Sequence, residues 1–138
     1  MSFRLQLPRE MYEEMVAQAV AELPNECCGL LAGTITEGRG IVAQRYPLVN
    51  AAASPRAFES QPQSLFAAHK DMRQRGIDVL AIYHSHPTSS PIPSRTDLER
   101  NWTPDVVNLI ISLEQSEPAV RGWWLTASDY HEAEWDVI

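Results

Sequence analysis

Residues 83–97 read YHSHPTSSPIPSRTD: two histidines lie two positions apart, and a proline-rich loop follows them and ends in Ser-x-x-Asp. Side chains two apart on a β-strand point to the same face, so His84 and His86 are predicted to share a face with Leu80. Two imidazoles near a strand end can converge on one cation. A catalytic zinc site takes three ligands and leaves one position for water. Asp97 supplies a third ligand group, so the stretch predicts a metal site.

A second interpretation of the same stretch needs no metal. His-x-His alone is a weak signal, and Ser94-x-x-Asp97 is also a capping box at the start of a helix. The two interpretations are compatible, because a carboxylate in the first turn of a helix can still reach a metal. Pro87, Pro91 and Pro93 restrict the intervening backbone and would help to return Asp97 to the histidines.

Hydrolysis also needs a general base near the attacking water. The stretch LPNECCGLLAG, residues 23–33, offers Glu26 immediately before an apolar segment. A carboxylate beside such a segment is unusual enough to make Glu26 a candidate for the base. The alternative is a solvated residue at the edge of a strand.

The hydrophobic periodicity along the chain predicts an α/β fold. The tryptophans Trp102, Trp123, Trp124 and Trp135 are predicted to pack in or at the edge of the core. The order of the strands does not follow from the sequence. The predicted strands cover 3–7, 28–35, 41–49, 77–86, 106–113, 120–127 and 131–138, and the predicted helices cover 9–22, 62–75 and 94–102.

The composition indicates the cellular compartment and disfavours some classes of partner. The chain of 138 residues is long enough for one domain, 1–138, and its net charge of −7 disfavours nucleic acid and anionic membranes as partners. The two cysteines, Cys27 and Cys28, are adjacent, which implies no disulfide framework and fits a reducing, cytoplasmic location. No apolar run is long enough for a membrane span, and residues 1–15 do not resemble a signal peptide.

The combined pattern resembles the JAMM, or MPN-plus, metalloprotease family. That family's motif is a distant upstream Glu, then His-Ser/Thr-His-Pro, with seven residues between the second His and a Ser-x-x-Asp. Here Glu26 is followed by His84-Ser85-His86, the seven residues Pro87–Pro93, Ser94 and Asp97. The segments PNECCGLLAG, VLAIYHSHP and PDVVNLIISL are also similar to small prokaryotic members. The resemblance covers nearly the whole chain and implies an MPN (JAB/cytidine-deaminase-like) fold, with a curved mixed sheet flanked by helices in a single domain.

The resemblance implies a role for each motif residue. One Zn²⁺ per chain would be held by His84, His86 and Asp97, with a catalytic water as the fourth ligand. Glu26 would be the general base, and Ser94 would donate a hydrogen bond to the oxyanion of the tetrahedral intermediate. Ser85 is predicted from the strand alternation to lie on the opposite face from the histidines, where it would either support the ligands from behind or have a structural role.

The resemblance also implies a substrate class. The expected reaction is hydrolysis of an amide or isopeptide bond after the C-terminal Gly-Gly tail of a ubiquitin-like or sulfur-carrier protein. A zinc hydrolase of another small amide or of a cell-wall peptide is an alternative. A non-catalytic MPN scaffold is another, although scaffolds usually carry a damaged motif and all five positions are intact here. The sequence leaves open the physiological substrate, internal cleavage against C-terminal trimming, and whether the chain acts as a homodimer.

Overall fold

The computed structural model describes residues 2–100 and 104–138. Within that part of the chain, three helices pack against strands of one mixed sheet. The strands are β1 (Arg4–Leu7), β2 (Cys28–Thr36), β3 (Arg39–Leu48), β4 (Asp78–His86), β5 (Val107–Ser112), β6 (Ala119–Leu125), β7 (Tyr130–Glu132) and β8 (Trp135–Val137). The helices are α1 (Arg9–Ala21), α2 (Pro62–Arg75) and α3 (Arg95–Glu99).

The sheet is curled, with strand order β7-β6-β5-β4-β2-β3-β1-β8. Its two ends lie close together, because only Ala133 and Glu134 separate β7, which pairs with β6, from β8, which pairs with β1. The predicted single strand over 131–138 is therefore wrong: that segment contributes to two strands at opposite edges. The predicted fold class, a curved mixed sheet flanked by helices, is confirmed.

Helices α1 and α2 cover separate clusters of apolar side chains. Met15 and Ala19 of α1 are buried in the cluster that contains Leu5, Leu31 and other core residues. Ala68 and Met72 of α2 are buried in a second cluster against strands β2, β3 and β4. Gly76 ends α2 in the left-handed region, with φ 68°. The second cluster lies on the side of β4 that carries the candidate site.

A β-bulge in β4 changes the face of the sheet on which Leu80 lies. Leu31 pairs with Ala81 and Ala32 pairs with Val79, so Leu80 is the extra residue opposite β2. Leu80 packs in the cluster under α1, whereas Ile82 packs in the cluster under α2. The prediction that Leu80 shares a face with the histidines is therefore wrong.

Three further predictions concern helix α3, the tryptophans and the membrane. The predicted helix 94–102 begins with Ser94 as its N-cap and is observed to Glu99; its predicted end and Trp102 lie outside the described residues. Trp123 and Trp124 are buried and Trp135 is half-buried, as predicted. Within residues 2–100 and 104–138, no helix has the length and apolar character needed to cross a bilayer.

Candidate metal centre

Three side chains with metal-ligand chemistry converge where β4 meets helix α3. His84 and His86 end β4, and Asp97 lies in the first turn of α3. The two Nε2 atoms are 3.2 Å apart. Asp97 Oδ1 lies 3.1 Å from His84 Nε2, and its Oδ2 lies 3.1 Å from His86 Nε2. Among the described residues this is the one group of three or more His, Cys, Asp or Glu side chains with metal-binding spacing.

Hydrogen bonds to its main-chain carbonyls, in addition to its prolines, restrain the loop between the histidines and α3. The His86 ring, Ser112 on β5 and Trp123 on β6 each contact one of its carbonyl oxygens. The contacts are His86 Nδ1 to Ser90 O at 2.8 Å, Ser112 Oγ to Ser89 O at 2.6 Å, and Trp123 Nε1 to Pro91 O at 2.8 Å. These hydrogen bonds fix the path that returns Asp97 to the histidines.

The contact with the Ser90 carbonyl also sets the protonation of His86. A carbonyl oxygen only accepts, so Nδ1 must carry the proton, and Nε2 of the neutral ring then presents a lone pair. A hydrogen bond that leaves one ring nitrogen free to coordinate is the usual arrangement around a metal-ligating histidine. Nε2 is therefore the nitrogen of His86 that is available to a cation.

The capping box predicted at Ser94 is present. Ser94 Oγ accepts from the Asp97 N–H at 3.1 Å, and the Ser94 N–H donates to Asp97 Oδ2 at 2.9 Å. Asp97 thus has one oxygen on the helix cap and both oxygens beside the imidazoles. The cap and the metal-ligand interpretations hold together in one geometry.

The charges at the centre fit a divalent cation. Burial alone would raise the pKa of Asp97, but the charge of His84 and the hydrogen bonds with His84, His86 and the Ser94 N–H hold that pKa far below its usual range. Burial would lower the pKa of His86, yet its hydrogen bonds to Asp97 and the Ser90 carbonyl raise it overall. Two imidazole nitrogens and a carboxylate that face one point form the donor set that zinc accepts, and a cation there would compete with protons for the same atoms.

Glu26 is buried beside this centre. Its side chain is 4% exposed, and Oε1 has no hydrogen-bond partner. Burial raises the pKa of Glu26 to about 8, while the charge of His86 lowers it and that of Asp97 raises it. The alternative of a solvated carboxylate at the strand edge is wrong, and an unpartnered buried oxygen near three ligand atoms is suited to contact a water molecule.

The residues that flank Glu26 and His84 have separate roles. Ser85 Oγ accepts a hydrogen bond from the Cys27 N–H at 2.8 Å, on the opposite side of β4 from the histidines, as predicted. Cys27 packs under α1, whereas Cys28 lies beside His84. Both thiols are free and buried, and burial raises their pKa values to about 11 and about 12. Both cysteines therefore behave as inert packing residues at neutral pH.

Sequence reasoning missed the part of the site formed by residues 50–61. The Phe58 ring stacks on His84 with centroids 4.8 Å apart, and Arg100 Nη1 donates to the Phe58 carbonyl at 3.0 Å. The Asn50 side chain holds this segment together and contacts the main chain of Glu26. The one sequence feature that could have indicated a role for this segment is Phe58, a single aromatic residue among small and polar ones.

An apolar cavity of about 430 Å³ leads to the centre. It lies between α2 and strands β2, β4 and β5, and His84 and Asp97 form part of its wall. Arg100 and Phe58, which are hydrogen bonded to each other, lie at this cavity as well. A substrate segment that reached the two histidines would therefore pass apolar side chains. The apolar lining includes Leu30, Leu48, Leu65, Val79, Ile82 and Val106.

Comparison with known proteins shows which family model the chain matches and which proteins it resembles. Residues 8–126 match the family described as prokaryotic homologs of the JAB domain. A desampylase of Haloferax volcanii is 37% identical over 116 residues, which cover 80% of this chain and 82% of that protein. A probable TtuB-protein conjugate cleaving protease of Thermus thermophilus is 39% identical over 100 residues, 71% of this chain and 64% of that protein. The solution structure of protein DSY2949 from Desulfitobacterium hafniense superposes with a TM-score of 0.87 and 35% identity, over 97% of this chain and 92% of that one.

Proposed function

We propose that this chain, which belongs to the prokaryotic homologs of the JAB domain, is a zinc-dependent peptidase. It hydrolyses the amide or isopeptide bond that follows the C-terminal tail of a ubiquitin-like or sulfur-carrier protein. The observation that carries this proposal is the convergence of His84, His86 and Asp97 beside the buried Glu26. Relatives with 37% and 39% identity are named for desampylation and for conjugate cleavage, which supports the substrate class.

His84, His86 and Asp97 would hold one zinc ion per chain. Zinc in such a site supplies a Lewis acid and lowers the pKa of a water molecule from about 15.7 to about 7. A nearby divalent cation also favours the ionised form of a carboxyl group. The pKa of Glu26, about 8 without the ion, would therefore fall on loading, and the base would be ionised when the site is complete.

Glu26 serves as the proton carrier. Its unpartnered Oε1 accepts a proton from the attacking water and then delivers that proton to the leaving nitrogen of the cleaved bond. A buried carboxyl group suits both halves of this task, because its surroundings can bring its pKa close to the pH at which it must accept and release a proton.

Ser94 stabilises the oxyanion. Its Oγ accepts the Asp97 N–H, which leaves the hydroxyl proton free to donate. Because the capping box positions Ser94 one helical turn from Asp97, the donor is held close to the ligands rather than on a mobile loop. Donors of this kind are worth about 3–4 kcal/mol of transition-state stabilisation.

The tail of the substrate enters in an extended form along the apolar cavity. A Gly-Gly terminus has no side chains, so it can approach His84 and Asp97 closely, and larger residues upstream can contact the cavity wall.

We place the reaction in the cytoplasm, because two buried free thiols fit a reducing compartment. A scaffold without chemistry is disfavoured, since the five motif residues are intact, Glu26, His84 and His86 are buried, and Asp97 is half-buried beside the histidines.

The test combines metal analysis with cleavage of defined substrates. Protein purified with zinc should contain about one zinc per chain. Intact mass should show removal of a C-terminal extension from ubiquitin-like and sulfur-carrier proteins, including a carrier that ends in Gly-Gly-Cys. Glu26→Gln should keep the zinc and lose hydrolysis. A protein that binds no zinc, and whose activity zinc does not restore, would refute the proposal.

A further inference from the structure

We propose that Asn50 is a positioning residue for the reaction, which holds the general base Glu26 in register with the metal ligands. This inference rests on the proposed function. Asn50 lies outside the motif, does not contact the three ligands, and acts through the main chain of Glu26.

The Asn50 side chain is buried and uses all of its hydrogen-bonding capacity locally. Its Nδ2 donates to the Glu26 carbonyl at 2.9 Å and to the Ala57 carbonyl at 3.1 Å. Its Oδ1 accepts from the N–H groups of Ala52 and Glu59, both at 3.0 Å. Asn50 is 9% exposed, so water cannot readily replace these four bonds.

The segment that carries Glu26 is held from three directions. Its N–H donates to the Ser54 carbonyl at 2.8 Å, and its carbonyl accepts from Asn50. The next N–H, that of Cys27, donates to Ser85 Oγ. Two of these three contacts belong to the 50–61 segment, and Asn50 closes that segment on itself. Without the Asn50 amide, Glu26 would keep its link to β4 and the bond of its N–H to the Ser54 carbonyl, but its own carbonyl would lose its link to this segment.

The same segment contacts a metal ligand. Ala57, which accepts the second Nδ2 hydrogen bond, precedes Phe58, whose ring stacks on His84. One amide group therefore connects the base on one side with the ring beside a ligand on the other. Positioning at this level matters, because a displacement of about 1 Å at a catalytic group can cost about 100-fold in rate.

Asparagine is the residue type that this position requires. Aspartate would keep the two acceptor contacts with Ala52 and Glu59 but would turn an oxygen toward two carbonyls. Alanine would remove all four bonds. Ser64→Ala is a matched control, because Ser64 bonds to the Val49 N–H and the Gln61 carbonyl, next to the two ends of the segment, without a hydrogen bond to Glu26.

The kinetic test uses zinc-loaded protein and a cleavable ubiquitin-like fusion. Asn50→Asp and Asn50→Ala should keep about one zinc per chain and lower kcat about 100-fold, with a smaller change in KM. Ser64→Ala should cleave at nearly the normal rate. Because Asn50 acts through Glu26, adding Asn50→Asp to Glu26→Gln should cause no further loss. A folded Asn50→Asp protein with normal kcat, or a double variant with multiplied losses, would overturn the inference.

Amide hydrogen exchange on the unaltered protein gives an independent readout. If Asn50 joins the two segments, the amides of Glu26, Ala52 and Glu59 should exchange at rates within about tenfold of each other, because they open together. Exchange of the Glu26 amide more than about 100-fold faster than the other two would overturn the inference, even if the Asn50 variants do not fold. Absence of all cleavage by the unaltered protein would instead refute the proposed function, and the exchange result would stand apart from it.

Discussion

Substitution of Ser94 separates the two roles that one hydroxyl has in this structure. Ser94 Oγ accepts the Asp97 N–H at 3.1 Å as the N-cap of α3, and its proton is proposed to reach the oxyanion. Loss of a serine cap to alanine costs about 1 kcal/mol, which corresponds to a fall in Tm of roughly 3–5 °C for a domain of this size. Loss of an oxyanion donor costs about 100- to 1,000-fold in kcat.

Ser94→Gly separates the effect of the hydroxyl on stability from its effect on the reaction rate. Glycine at an N-cap costs only a few tenths of a kcal/mol relative to serine, so the Tm should change little, whereas kcat should fall as far as in Ser94→Ala. The Ser94 N–H bond to Asp97 Oδ2 is a main-chain contact and survives both changes, so zinc content should stay at about one per chain.

The assay measures kcat and KM on a ubiquitin-like fusion, together with thermal unfolding and metal content of each variant. Ser94→Thr, which keeps a hydroxyl and a good cap, is the control and should retain most activity. If Ser94→Gly cleaves within about threefold of the normal rate, Ser94 is a helix cap only, and the oxyanion donor lies elsewhere.

Three other predictions follow from the contacts and pKa values. Trp123→Phe should cost about 1–3 kcal/mol of stability and weaken zinc binding, because the Pro91 carbonyl loses its donor; unfolding and zinc titration check this. In metal-free protein, the free energy of unfolding should fall as the pH rises from about 4.5 to about 8, since the raised pKa of Glu26 keeps its proton in the folded state alone, and Glu26→Gln should reduce that slope. Cys27 and Cys28 should resist alkylation at pH 7 in the native protein and react fully after denaturation, as thiol titration would show.

Helix positions followed closely from local pattern. The predicted helices over 9–22 and 62–75 agree with α1 and α2, because their apolar spacing and the stop at Gly76 are properties of a short stretch of chain. The hairpin turn at Glu37 and Gly38 has both φ angles positive, as a tight turn between antiparallel strands requires.

The candidate site was predictable where its chemistry is encoded by spacing. Two histidines on one strand face and a carboxylate in a helix cap determine which side chains can meet, and the structure brings His84, His86 and Asp97 together. The strand face of Leu80 was not predictable, because a bulge is decided by how β4 pairs with β2. The 131–138 segment was predicted as one strand for a similar reason. The alternation of apolar and polar residues along it does not reveal that one part pairs with β6 and the other with β1, at the two ends of a curled sheet.

By itself, then, the sequence determined the candidate ligand residues, the strand and helix that carry them, and the fold class, because periodicity and motif spacing are local properties. Only the tertiary structure decided the strand order, the burial of Glu26 and the hydrogen bond between Asn50 and Glu26. Each of these depends on contacts between segments that are far apart in the chain. Whether a carboxylate is solvated or buried beside a metal centre is set by what packs around it, and the residues around Glu26 come from β4, α3 and the 50–61 segment.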